Sequence, residues 1–224
     1  MPLSPSLIWK FAVSCLAGTL ATPGMATPAG SGNLALPVAA EQLVTTESSF
    51  TPWARRVATD IEARLHVSPP PSPETTKLLL GMRVHLALYF RQDEVALDSA
   101  ARIRAGVADA GERAHAGLTT RAIVSARYEP KAFEREFTAL LKALPRDPGI
   151  LRALVRAREK IAALDEASLL EPVRKTISPK LVKGEPVTLE VADELVRARH
   201  RLVNVLPLRA AMLRAYDIAI AAQN

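Results

Sequence analysis

Cysteine is nearly absent from this chain: Cys15 is the only one among 224 residues. A lone cysteine forms no intrachain disulfide, and it cannot supply a CxxCH haem-attachment motif or a zinc site built from several thiolates. A protein without such crosslinks must be held together by burying apolar side chains, which make up 49% of the sequence. The sequence therefore predicts a packed core as the source of stability.

The sequence also lacks the short motifs that mark common active sites. It has no glycine-rich phosphate loop and no GxSxG, and its four histidines are scattered without an HExxH arrangement. Carboxylate pairs such as Asp60 with Glu62 are spaced so that their members point to different sides of a helix. We therefore predict no catalytic, cofactor-binding or metal-ligating residue and no cofactor, while an active site assembled from distant residues stays open. His85 is expected to meet Tyr89 one helical turn away as a hydrogen-bonded core pair.

Long hydrophobic runs are missing as well. Phe11–Ala21 is mostly apolar, but it is shorter than the roughly 20 residues that a transmembrane helix needs. Lys10 precedes this run and small residues follow it up to Ala26, which is the pattern of a secretory signal peptide. We predict a signal peptide over residues 1–26, with cleavage after Ala26 and a periplasmic or secreted mature chain; an uncleaved membrane anchor is the alternative. No transmembrane segment is expected in the mature chain, and cleavage would also remove Cys15.

The rest of the chain divides into a leader and a folded part. Residues 27–49 are rich in Thr, Pro, Gly, Ser and Ala and show no sustained periodicity, so we predict a flexible leader there. From Phe50 onward helical signals are dense. Residues 50–224 are therefore predicted to form a single all-helical domain.

Several expected helix starts share a capping residue followed by proline. The side-chain oxygen of the first residue accepts an N–H of the first helical turn, and proline at the first helical position gives up an N–H that has no partner. The pairs are Thr51-Pro52, Ser72-Pro73, Glu129-Pro130 and Asp147-Pro148. Each pair predicts a helix that begins at its proline.

The apolar patterns distinguish the helices from one another. The helix predicted over residues 73–91 is apolar around much of its circumference, so we place it at the centre of the core, with Leu86 in the middle of it. Pro130–Leu144 has a single apolar face, which is typical of an amphipathic helix. Between Ser178 and Pro186 the helical pattern fails, so we predict an ordered loop, with at most a two-strand excursion near Lys183-Gly184.

The stretch LVRAR occurs twice, at Leu154–Arg158 and about 41 residues later at Leu195–Arg199, a period in the range of helical-hairpin arrays. Two good N-cap residues, Asp147 and Thr188, precede the copies at matching distances. Each copy is followed by a second helical segment, so the repeated unit is predicted to be a helical hairpin. Arginines two residues apart point about 200° from each other around a helix, so we expect them to be solvated rather than to hold one ligand together.

Together these patterns predict an all-α fold of antiparallel helical hairpins, packed as an irregular bundle or a short α-solenoid. Leu78–Arg104 weakly resembles a tetratricopeptide repeat, although the spacing of Gly81, Tyr89 and Ala96 does not fit that pattern. No family is assigned. Tetratricopeptide-like and HEAT-like architectures both stay open.

The charge of the chain is positive but dispersed. The formal net charge is +6 and the pI is about 9.8. The basic residues are interspersed with carboxylates, as in KAFEREF at residues 131–137. For an exported chain, a protein or an anionic envelope component is a more accessible partner than nucleic acid, which we do not expect.

Three functions follow as hypotheses. The leading one is an exported, non-catalytic helical protein that binds a macromolecule or acts as a scaffold in the cell envelope. An all-helical enzyme or small-anion-binding protein would use Arg, Lys and Glu side chains, and a pocket lined by converging arginines with shifted carboxylate pKa values would favour it. A peripheral binder of an anionic membrane surface would instead present a one-sided basic face.

Overall fold

A computed structural model describes residues 34–223 of the chain. The signal peptide predicted over residues 1–26 and the first part of the predicted leader, residues 27–33, lie outside this range. Residues 34–223 form helices and connecting turns, with no strand among them. The all-α fold class is confirmed for this part of the chain.

The helices are numbered in chain order, and two π-helical segments and one 3-10 segment continue some of them. Their bounds are α1 Ala40–Thr45, α2 Glu47–Leu65, α3 Pro73–Tyr89, α4 Asp93–Ala105, α5 Ala110–His115, α6 Leu118–Ser125, α7 Pro130–Lys142, α8 Pro148–Ala162, α9 Glu166–Pro172, π-helix Val173–Ile177, α10 Ser178–Val182, α11 Leu189–His200, π-helix Arg201–Val205, 3-10 helix Leu206–Leu208 and α12 Arg209–Gln223.

Capping residues start three helices as predicted and fail to start a fourth. The side chains of Ser72, Glu129 and Asp147 each accept backbone N–H groups in the first turns of α3, α7 and α8. The prediction for Thr51-Pro52 is wrong, because α2 begins at Glu47 and carries Pro52 in its interior. Phe50 and Trp53, on either side of this proline, are both buried. Their packing outweighs the cost of the hydrogen bond that proline cannot donate.

The folded region begins before the predicted boundary at residue 50. Residues 34–49, which we expected to belong to a flexible leader, contain α1 and the first residues of α2. Leu34, Leu43 and Val44 are buried there, and the Trp53 indole N–H donates to the Leu34 carbonyl at 3.1 Å. The apolar residues of this segment show no sustained helical period, so the pattern did not reveal the side chains that attach it to the core.

Helix α3 lies between two clusters of buried apolar side chains. Leu79, Met82 and Leu86 belong to a cluster shared with α1, α2, α9 and α11, which we call the α2 cluster. Val84 and Leu88 belong to a cluster shared with α4, α6, α7, α8 and α12, which we call the α7 cluster. The central position predicted for this helix is confirmed, because both sides of α3 are covered by apolar partners.

The two copies of LVRAR lie in helices with matching starts but different neighbours. Asp147 caps α8, Thr188 caps α11, and Leu154 and Leu195 are fully buried. Helix α8 packs mainly against α5 and α12, whereas α11 packs mainly against α3 and α1. The extensive contacts are therefore made with helices distant in sequence rather than within a hairpin of each repeat.

The segment predicted as an ordered loop is partly helical. Ser178–Val182 forms α10, which continues directly from the π-helical segment before it. The turn that follows places Gly184 at a φ of 79°, a left-handed conformation that glycine adopts without steric cost. No helix among residues 34–223 is both long and apolar enough to cross a lipid bilayer.

Candidate functional site

Two histidines that are far apart in sequence stack on each other where α3 meets α11. The ring centroids of His85 and His200 lie 4.4 Å apart, and the rings are inclined by 20°. The predicted pair of His85 with Tyr89 does not form: the Tyr89 hydroxyl is instead 2.7 Å from the Thr51 hydroxyl. The contact between α3 and α11 therefore creates a histidine pair that the spacing along the chain does not reveal.

Asn204, which follows α11, determines which ring nitrogen of His200 carries the proton. This residue is buried, and the Arg201–Val205 π-helical segment follows it directly. The Asn204 side-chain amide lies 3.2 Å from His200 Nδ1. Because an amide nitrogen only donates, Nδ1 accepts this hydrogen bond, and the neutral ring carries its proton on Nε2.

Both imidazole rings are neutral near pH 7. Burial and, to a smaller extent, the nearby Arg201 guanidinium lower the pKa of His200 to about 4. Burial also holds the pKa of His85 well below its ordinary value, with smaller contributions from His200, Arg197 and Arg201. His85 Nδ1 is buried and has no hydrogen-bond partner among residues 34–223. A buried ring nitrogen without a hydrogen-bond partner is uncommon in folded proteins.

A surface cleft of about 470 Å³ opens beside His85, and we call it the α3–α11 cleft. Its walls come from α3, from Ile103 of α4 and from the junction of α11 with the following π-helical segment. The lining residues are Glu74, Lys77, Leu78, Gly81, His85, Ile103, Asp193, Arg197 and Arg201. The cleft thus combines an apolar surface with several ionisable groups, as ligand sites in proteins commonly do.

Arg197 and Arg201 line one wall of this cleft, and they differ in whether a carboxylate neutralises their charge. Arg197 forms a hydrogen-bonded ion pair with the buried Asp193 carboxylate. No carboxylate within residues 34–223 lies at ion-pair distance from Arg201. Burial lowers the pKa of Arg201, and the neighbouring Arg197 lowers it further. Arg201 therefore carries a half-buried positive charge that an anionic group in the cleft would stabilise.

Asp193 is the buried acidic group of the cleft. Burial raises the pKa of its carboxyl group, although the adjacent Arg197 opposes the shift. The spacing of Arg197 and Arg201 could have predicted that they lie together, since residues four apart share one side of a helix. The sequence did not contain the signal for His85, whose approach depends on the packing of another helix.

The arginines of the second LVRAR copy correct the prediction that these residues are solvated. Arg199 is buried and donates to the carbonyl oxygens of Val44 at 3.0 Å and Thr45 at 3.1 Å, at the end of α1. In the first copy, Arg156 and Arg158 are exposed or nearly so, and Arg158 pairs with Asp217 at 2.7 Å. The predicted divergence of the paired arginines is seen in both copies, but only the second copy uses them inside the fold.

The other two histidines lie away from the cleft. His115 Nε2 is 2.8 Å from the Tyr216 hydroxyl, and burial lowers the pKa of this histidine. His66 is exposed, with Nδ1 2.7 Å from the Glu62 carbonyl oxygen of its own helix. Within residues 34–223, no three His, Cys, Asp or Glu side chains gather as metal ligands would.

No protein-family model, no curated protein and no solved structure matches this chain.

Proposed function

We propose that this chain is an exported, non-catalytic helical binding protein of the cell envelope and that its α3–α11 cleft recognises an anionic group. The observation that carries the proposal is the half-buried Arg201, which has no carboxylate partner among the described residues and lies beside the Arg197–Asp193 ion pair. A guanidinium group in such a place binds carboxylate or phosphate oxygens with paired, charge-assisted hydrogen bonds. The signal-peptide pattern of residues 1–26 supports the extracytoplasmic location.

Binding is favoured over turnover by the state of the groups in the cleft. The Asp193 carboxylate is held by Arg197 and is not free to act as a base. The two imidazole rings have pKa values far below neutral pH, which makes them weak proton acceptors. The site can therefore hold a charged group without an obvious means of reacting with it.

An irregular bundle is the arrangement that we propose for the helices. In a solenoid each repeat contacts only its neighbours along the chain. Here α1 packs on α11, and α12 packs on α7 and α8. Contacts between such distant segments support a closed bundle over an open array.

Isothermal titration calorimetry with inorganic phosphate and with succinate tests the proposal. We expect Arg201→Gln to weaken binding of at least one of these anions about tenfold or more, which corresponds to about 1.4 kcal/mol. Arg56→Gln, which removes the same charge from an exposed position on α2, is the matched control and should leave the affinity unchanged. Binding that survives Arg201→Gln intact would contradict the proposal, and Arg201-independent binding to anionic lipid vesicles would point to a membrane-surface function instead.

A further inference from the structure

One histidine of the stacked pair lines the α3–α11 cleft and the other does not. His85 is partly exposed and forms part of the cleft wall. His200 is buried and stacks on His85 with 4.4 Å between the ring centroids, but it is not part of that wall. A group bound in the cleft would therefore meet His85 and lie close to both rings.

The two rings take up protons as a pair rather than independently. Two imidazolium charges at this separation would repel each other strongly, so the folded protein holds at most one proton on the pair beyond the neutral state. His85 Nδ1 has no hydrogen-bond partner among residues 34–223. Protonation of His85 therefore costs no hydrogen bond at this atom.

Arg201 opposes protonation of both rings. Burial is the main cause of the lowered pKa of each histidine, and the Arg201 guanidinium adds to it in both cases. Arg197 also acts on His85, but the Asp193 carboxylate balances its charge. The other charged groups that line or adjoin the cleft are Glu74 and Lys77 of α3 and Glu194 of α11. Arg201 is therefore the charge through which a ligand in the cleft can act on both histidines.

We propose that anion binding in the α3–α11 cleft is coupled to the uptake of a proton by the His85–His200 pair, so that the cleft holds its anion more tightly in acid than at neutral pH. This inference rests on the anion-binding function proposed above and adds its regulation by pH. An anion paired with Arg201 neutralises the guanidinium charge and places negative charge beside His85, which favours an imidazolium ring. Because coupling between two bound species is reciprocal, the imidazolium strengthens binding of the anion by the same factor.

Calorimetric titration of the whole protein with sulfate tests this coupling. Sulfate stays a dianion throughout the range used, so any change of affinity with pH comes from the protein. We expect sulfate to bind about threefold or more tightly at pH 5.5 than at pH 7.5. At pH 5.5, adding sulfate should also move the ring Cε1–H nuclear magnetic resonance signals of the pair toward the positions of a protonated imidazole. This second measurement needs no substitution.

Histidine variants separate the pair from Asp193, the other group of the cleft that could gain a proton in acid. Burial raises the pKa of Asp193, and its protonation would release Arg197 to bind an anion. Replacing both histidines, His85→Gln with His200→Gln, should remove most of the gain in sulfate affinity at the lower pH. His66→Gln, which changes an exposed histidine away from the cleft, is the matched control and should keep the gain.

The outcomes distinguish this inference from the function on which it rests. If sulfate binds through Arg201 with equal affinity at both pH values, the coupling is wrong and anion binding stands. A gain that persists in the double histidine variant, or that leaves the ring signals of the pair unmoved, would assign the proton to Asp193 and also contradict the inference. If sulfate, phosphate and succinate all fail to bind, the proposed function fails together with the coupling.

Discussion

At the residue scale, the stacked histidines make the stability of the protein sensitive to acid. Burial holds the pKa of His200 at about 4 and that of His85 well below its ordinary value. In the unfolded chain both groups titrate near 6.5. The unfolded chain therefore takes up protons first as the pH falls. The stabilisation from the neutral His200 ring is complete above about pH 6.5 and is lost progressively as the pH falls toward 4, and the neutral His85 ring contributes in the same direction.

Acidification from pH 7.5 to 5.0 should reduce the free energy of unfolding by about 2 kcal/mol for the His200 titration alone. Urea unfolding curves at the two pH values, followed by circular dichroism, measure the change. His200→Gln removes this titration, so the variant should lose clearly less stability than the original chain over the same interval. Asp193 and the other carboxylates are present in both proteins, and their contributions cancel in the comparison. Equal losses would show that His200 is not buried as a neutral ring.

Arg199 should contribute far more to stability than the arginine at the same position of the other LVRAR copy. Arg199→Ala removes the donor that satisfies the Val44 and Thr45 carbonyl oxygens. We expect a loss on the order of 1.5–3 kcal/mol, the range for hydrogen bonds to a charged group. Arg158→Ala breaks one surface ion pair with Asp217 and should have a much smaller effect. Urea unfolding of the two variants makes the comparison, and similar losses would contradict the buried role of Arg199.

The residues of the site were predictable only where the cause is local. The buried leucines of both LVRAR copies and the divergence of their arginines follow from helical periodicity. The burial of Arg199 does not, because its acceptors lie at the end of α1, far away in the sequence. The stacking of His85 on His200 likewise depends on which helix covers α3.

At the element scale, α3 is the helix on which both apolar clusters depend. It supplies Leu79, Met82 and Leu86 to the α2 cluster, and Val84 and Leu88 to the α7 cluster. Its apolar residues cover much of its circumference, as the sequence predicted. A substitution that shortens a buried side chain on either side of α3 would therefore leave a cavity in a close-packed interior. The surrounding side chains would collapse into that cavity only partly.

Leu86→Ala should lower the free energy of unfolding by about 2–5 kcal/mol, through lost apolar burial and the cavity that remains. Leu86 is 2% exposed and lies in the α2 cluster. Leu97→Ala is the matched control, because Leu97 of α4 is 38% exposed, and its loss should be about 0.5 kcal/mol. Chemical denaturation of both variants tests the difference. Equal destabilisation would mean that the centre of the core lies elsewhere.

Element boundaries were predictable where a side chain caps the helix and failed where packing overrides a local signal. Asp147 and Ser72 accept the first-turn N–H groups that their sequence context predicts. Pro52 is an unfavourable residue inside a helix, yet the burial of Phe50 and Trp53 holds α2 together around it. Ser178–Val182 becomes helical because it continues a chain segment that is already helical.

At the scale of the whole molecule, the all-α class follows from the sequence, but the arrangement of the helices does not. Periodicity identifies the side of a helix that is buried, and it does not identify the helix that covers it. The repeated LVRAR units illustrate the difference. Their helices start alike, yet α8 joins the α7 cluster and α11 joins the α2 cluster.

Because α3 is shared, the two clusters are not separate folding units. Opening either cluster removes the packing contacts on one side of α3 and so destabilises the other cluster. The amide protons of this helix therefore exchange with solvent mainly when the whole domain unfolds. Helix α3 also carries Lys77 and His85 to the α3–α11 cleft. An anion held there would slow hydrogen exchange in the α7 cluster as well, including in helices such as α7 and α12 that do not line the cleft.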